Sequence, residues 1–122
     1  TMPTTTQTGG QAEALAARHL ERNGLTILAR NVHCRGGEVD LIAQHRGVLV
    51  FVEVRLRKSQ AFGGAAESIT ATKRRRIILA AQYWLAGPGA RYGDSPCRFD
   101  VVLMPSLDPA QLEWIPDAFT AD

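Results

Sequence analysis

Ala12, Leu15, Ala16, His19 and Leu20 recur at helical spacing, which predicts a helix over Gln11–Asn23 with a left-handed stop at Asn23-Gly24. Thr8 and Gln11 stand three apart as a capping pair ahead of it. Residues 1–9 are polar and aperiodic and read as a flexible tail. The pattern then changes period. Leu25–Asn31 is rich in branched apolar residues and suits a strand, followed by a loop ending in Gly36-Gly37. EVDLIAQH and VLVFVEVR, separated by Arg46-Gly47, are apolar on both faces, as central strands covered on each side would be. KSQAFGG reads as a loop, and Thr70 caps a second helix to Ala86, whose stripe is Ile77, Ala80, Ala81, Trp84 and Leu85. GPG ends that helix, RFDVVLM at 98–104 is a strand closed by Pro105, and QLEWI at 111–115 is a short last one. The order α-β-β-β-α-β-β predicts an α/β fold with a mixed central sheet flanked by helices, in a single domain over residues 10–122.

Composition narrows the class. A chain of 122 residues fits one domain of the common size, about 100–150 residues. With 45% hydrophobic residues and two cysteines it is neither a disordered chain nor a disulfide scaffold. No apolar run approaches the roughly 18 residues of a membrane span, and TMPTTTQTGG lacks the basic and apolar regions of a secretory signal. The expectation is a cytoplasmic protein with no membrane partner. Net charge is only +2, yet the segment from Arg55 to Arg76 carries +6 and the remaining residues −4. Twelve of the fourteen basic residues are Arg, whose fork matches phosphate oxygens. One basic segment on an acidic remainder suggests an anionic partner, although charge runs also occur as solvated faces.

If Arg46-Gly47 is a two-residue hairpin loop, His45 opposes Val48, Ile42 opposes Phe51, Leu41 opposes Val52, and the next pair is Asp40 with Glu53. Glu38 and Arg55 lie on the same face, two residues along each strand. Two carboxylates so placed need a cation, a proton or an arginine between them. The arrangement suits a hard divalent ion such as Mg²⁺ or Mn²⁺, and equally a salt-bridge cluster at a sheet end. Glu13 lies beside the apolar stripe of the first helix and can reach the rim of whatever that helix packs on.

GEVDLIA followed by FVEVR, with twelve residues between Asp40 and Glu53, resembles the D…E-x-K core of the PD-(D/E)XK nuclease superfamily. AEALAARHL, LARN, GEVDLIA, LVFVEVR, RFDVV and WIPDAF, in that order, resemble the YraN family within it. The resemblance implies a restriction-endonuclease-like αβββαβ core. It implies Asp40 and Glu53 as metal ligands completed by the Val54 carbonyl, and matches Glu13 to the first-helix glutamate of archaeal Holliday-junction resolvases. Arg55 stands where the superfamily usually has Lys. An arginine cannot shuttle a proton, though it can orient a phosphate or stabilise transition-state charge.

In this context Arg57, Lys58, Lys73, Arg74 and Arg76 are candidate backbone-phosphate contacts, since Lys73–Arg76 ring a helix start that attracts phosphate. Cys34 and Cys97 lack zinc spacing, and no phosphate-loop or dinucleotide motif is present, so zinc and nucleotide cofactors have no support. Arg30, Arg98 and Asp100 match family positions, and a salt bridge explains them equally well. Three functions follow. The first is a Mg²⁺- or Mn²⁺-dependent endonuclease on DNA, branched or single-stranded, with Asp40, Glu53, Arg55 and Glu13 in the site; junction substrates would call for a homodimer. The second is a degenerate nucleic-acid-binding module on a nuclease fold. The third is a protein-interaction domain whose carboxylates serve salt bridges.

Overall fold

The hairpin that carries the two candidate carboxylates forms in the expected register. Arg46 and Gly47 both have positive φ, 53° and 81°, the twist a two-residue hairpin loop requires. They join β2 (Gly37–His45) to β3 (Val48–Leu56), with His45 opposite Val48 and Leu41 opposite Val52. The computed structural model describes residues 5–56 and 69–121. Within them the chain runs α1 (Thr5–Arg22), β1 (Thr26–Cys34), β2, β3, α2 (Ala71–Ala86), β4 (Cys97–Met104) and β5 (Glu113–Phe119), with short 3-10 turns before β4 and β5.

The strands form one mixed sheet in the order β1-β2-β3-β4-β5. β3 and β4 are parallel because α2 crosses between them; the other neighbours are antiparallel. Ala12, Ala16, Ala17 and Leu20 of α1 cover one face, against Leu41, Ala43, Val50, Val52, Val102 and Met104. Ile77, Ala80, Ala81 and Trp84 of α2 cover the other, against Ile42, Leu49, Phe51, Phe99 and Val101. The fold is therefore α/β, with an αβββαβ core and a fifth strand. No helix among the described residues is long and apolar enough to cross a membrane.

Three boundaries differ from expectation. α1 begins at Thr5, so residues 5–9 are helix rather than tail, and Thr8 lies within the helix instead of capping it. Once a packed segment nucleates, each added residue gains a hydrogen bond, and Gly9 and Gly10 meet no neighbour that would stop it. β1 extends to Cys34 because β2 continues to pair with it as far as Gly37. β5 runs on through Pro116, tolerated on an edge strand, to bring Phe119 onto Phe99 at 4.9 Å between ring centroids. The segment KSQAFGG, expected as a loop, lies outside the described residues.

α2 begins as expected, with the Thr70 hydroxyl accepting the Lys73 amide at 3.1 Å. Its approach to the sheet depends on Gly37. A Cβ there would lie 2.5 Å from the Arg76 carbonyl oxygen and 3.0 Å from the Ala80 nitrogen. The glycine thus lets the first turns of α2 rest on the start of β2, beside Glu38 and Asp40.

Candidate active site at the open end of the hairpin

Register predicts that Asp40 and Glu53 simply oppose one another, but the β2–β3 ladder ends one pair earlier, at Leu41 and Val52. Continued, it would join the Val54 amide to the Val39 carbonyl. Instead the Val54 N–H donates to Asp40 Oδ2 at 2.7 Å. On the other side of β2, Asn31 has φ 51° and falls between the pairs Arg30–Leu41 and Val32–Val39. Asparagine enters this left-handed region more readily than most residues. Alternation resets at that point: Ala29 and Val32, and likewise Ile42 and Val39, are three apart yet all pack with the α2-side core. Asp40 is thereby released from strict alternation and meets groups from both faces of the sheet.

Those groups are Glu13 of α1 and Glu53 of β3, each a hydrogen-bonding neighbour of Asp40. Glu53 is only 3% exposed. Burial pushes its carboxyl up to about 7, the Asp40 charge adds to the rise, and Lys73 opposes it. Burial also raises the Asp40 carboxyl, against the Val54 amide and the charge of Lys73. Burial and then the Asp40 charge raise Glu13, and a hydrogen bond from Asn31 offsets part of that. Two ionised carboxylates cannot hydrogen-bond to each other, so the approach of the three calls for a proton or a cation between them.

The cation that meets Glu53 is Lys73, whose Nζ is 3.1 Å from Glu53 Oε1 and 4.0 Å from Glu38 Oε1. His33 Nδ1 approaches the other Glu38 oxygen at 3.7 Å. Arg55 is half-buried, has no ion pair within the described residues, and influences Glu53 through its charge alone. Of the remaining basic candidates, Arg74 donates from Nε to the Ile69 carbonyl at 3.0 Å and lies over the Phe119 ring, and Arg76 is exposed. Arg57 and Lys58 lie outside the described residues.

In sequence, Lys73–Arg76 read as a basic ring around the helix start, which does not separate Lys73 from its neighbours. The missed signal is the phase of the apolar stripe: Lys73 is four residues before Ile77, so the buried face of α2 continues through it. Asn31 was not singled out, and only its conformation marks it.

Arg98, Asp100 and Trp114 build a separate cluster. Asp100 is fully buried and accepts from Arg98 Nε at 3.0 Å, Arg98 Nη2 at 3.2 Å, Trp114 Nε1 at 2.9 Å and the Asp117 amide at 2.9 Å. Its acceptor capacity is filled by protein, and it anchors the irregular β4–β5 pairing. Salt bridging accounts for Arg98 and Asp100, while Arg30 is exposed. Trp84 is core, stacked on Tyr92, and Trp114 packs with the α1-side core.

The donor set at Asp40 suits a hard divalent cation. Fully ionised, Glu13, Asp40 and Glu53 oppose a single ammonium and leave two negative charges, the deficit such an ion fills. The Val54 carbonyl leaves the same edge of β3 as its amide, by strand geometry, and faces the same gap. No trio of His, Cys, Asp or Glu side chains among the described residues converges closely enough to hold a metal unaided. Asp40 and Glu53 with the Val54 carbonyl would leave the other positions to water and phosphate oxygens, as Mg²⁺ favours.

Residues 12–104 match the model of "Uncharacterised protein family UPF0102". The chain is 57% identical over 119 residues to a UPF0102 protein of Dechloromonas aromatica, covering 98% of this chain and 93% of that one. It is 54% identical over 114 residues to one from Saccharophagus degradans, covering 93% of each. A third, from Serratia proteamaculans, is 55% identical over 114 residues, covering 93% of this chain and 95% of the relative. Such matches over nearly whole chains leave one assignment: this protein belongs to family UPF0102, the YraN family that its motifs resemble.

Proposed function

We propose that the protein is a metal-dependent endonuclease-like protein that hydrolyses phosphodiester bonds in DNA, with branched or single-stranded DNA as the favoured substrate. The observation that carries this reading is the meeting of Glu13, Asp40 and Glu53 at the point where β2 and β3 part, with more negative charge than its one ammonium balances. Asp40 and Glu53 would hold Mg²⁺ or Mn²⁺ with the Val54 carbonyl. The cation, when bound, supplies Lewis acidity toward water and a phosphate oxygen. Glu13, at the α1 edge, orients the attacking water and accepts its proton; its raised carboxyl suits that exchange. Arg55, at the rim, steadies the phosphate, and Arg57, Lys58, Arg74 and Arg76 track the neighbouring backbone. We place this activity in the cytoplasm, with a dimer supplying two sites where a junction needs two cuts.

A Mn²⁺ titration by calorimetry tests the cation site. Wild type should bind, and Asp40→Asn and Glu53→Gln should each weaken binding by at least about tenfold, in line with losing one charged ligand. Equal affinity in all three would remove the reading. A second reading, a binding module without catalysis, is favoured by Arg55 in place of a titratable lysine. It predicts DNA affinity that falls steeply with salt and no cleavage with any divalent ion.

A further inference from the structure

Lys73 is the cation paired with Glu53 among the described residues, and three features of the fold put it there. Its amide is fixed by the Thr70 cap. Its side chain continues the buried face of α2, four residues ahead of the fully buried Ile77. Gly37 lets that turn of the helix reach β2, one residue from Glu38. A cation in the first turn of a helix is disfavoured by the macrodipole, by a few tenths of a kcal/mol. The Glu53 and Glu38 carboxylates, at 3.1 and 4.0 Å, offset that. A flexible four-carbon stem with three donors is also able to change partner without moving the helix.

Lys73 and a divalent cation compete for the same oxygen. Both need the Glu53 carboxylate, and two cations side by side in a buried site repel strongly. An ion held by Asp40 and Glu53 would draw off the charge that keeps Lys73 against Glu53, leaving the ammonium beside the ion and facing outward past the half-exposed Glu38. A phosphodiester oxygen bound to that ion would then join Glu38 as a partner of the ammonium.

We propose that Lys73 is an exchanging ammonium: it neutralises Glu53 before the cation arrives, and then passes to the scissile phosphate as a second positioning charge beside Arg55. This rests on the cation-site reading given above. It adds a specific consequence, that the same residue opposes metal binding and favours metal-dependent DNA binding.

The test measures both for wild type, Lys73→Gln and Lys73→Arg, with folding checked by circular dichroism. Mn²⁺ affinity is read by calorimetry, and affinity for a fluorescent four-way-junction DNA by anisotropy, with and without Mn²⁺. Lys73→Gln should bind Mn²⁺ about three- to tenfold more tightly, because a competing charge is gone. It should lose most of the gain in DNA affinity that Mn²⁺ gives wild type, and Lys73→Arg should keep part of that gain. A purely structural lysine would not move the two affinities in opposite directions. Unchanged or weaker Mn²⁺ binding in Lys73→Gln, or an undiminished gain in DNA affinity, overturns the proposal. If both affinities move as stated while wild type cuts no DNA, the exchange stands and the endonuclease reading falls. If Asp40→Asn binds Mn²⁺ as wild type does, both fall.

Discussion

The carboxylate of Asp40 accepts the amide of Val54 at 2.7 Å, taking the place that a backbone carbonyl of β2 would hold in an unbroken ladder. Asp100 makes a parallel substitution in the β4–β5 pair, accepting the Asp117 amide at 2.9 Å. The two differ in what surrounds them. Asp100 is saturated by an arginine, an indole and an amide, which makes it a structural anchor. Asp40 accepts one amide and otherwise neighbours carboxyls and the charge of Lys73, which leaves it with oxygen to offer. A ladder end at Asp40 and a register shift at Asp100 therefore serve two purposes, and the donor count separates them.

Gly37→Ala should destabilise the fold. Its Cβ would press on the Arg76 carbonyl at 2.5 Å, backbone that has no rotamer to yield. Overpacking of this kind costs about 1–3 kcal/mol. Urea denaturation would report it, and an unchanged midpoint would show that α2 is not seated through this contact.

Asp100→Ala should be more damaging, about 3–5 kcal/mol, because it strands a partly buried arginine and leaves the Trp114 and Asp117 donors unmatched. The same change should leave Mn²⁺ affinity within about twofold in the folded fraction, since the partners of Asp100 are Arg98, Trp114 and Asp117 and none belongs to the carboxylate cluster. A large loss of Mn²⁺ binding with little loss of stability would reverse the roles assigned to Asp40 and Asp100.

Stability should fall as pH rises in the absence of divalent ions. The folded-state value of Glu53, about 7, lies above its ordinary 4.5, so the folded state keeps a proton that the unfolded chain has released. This contribution is present in full below about 4.5 and is lost as pH passes through about 7. Between pH 5 and 8 it amounts to about 2 kcal/mol, at 1.36 kcal/mol per unit. Denaturation of wild type against Glu53→Gln isolates it, because the variant lacks the titration. Excess Mn²⁺ should restore wild-type stability at pH 8 and do less at pH 5, where protons hold the oxygens. A wild-type curve parallel to that of Glu53→Gln would refute the buried-carboxyl account.

The order of elements, the hairpin register and the Thr70 cap were legible because each is set by neighbours in the chain: a period, a turn pair, a capping hydroxyl. The grouping of Asp40 with Glu53 was legible for the same reason, while helix phase put Glu13 only at a rim and the family resemblance tied it to the site. Harder to read was the way Asp40 leaves the ladder, which depends on Asn31 adopting a left-handed conformation one strand away. Lys73 sits in a run of four basic residues that rings the helix and marks no one of them. Only the stripe extended backward from Ile77 picks it out, and only Gly37 explains why the helix comes close enough.

Cleavage of labelled single-stranded, duplex and four-way-junction DNA with Mn²⁺, run for wild type beside Asp40→Asn, tests the central claim most directly. The account predicts cutting by wild type that falls at least about a hundredfold in the variant, as loss of an ion-binding carboxylate entails. No cutting of any substrate by wild type, or equal cutting by both proteins, would contradict it.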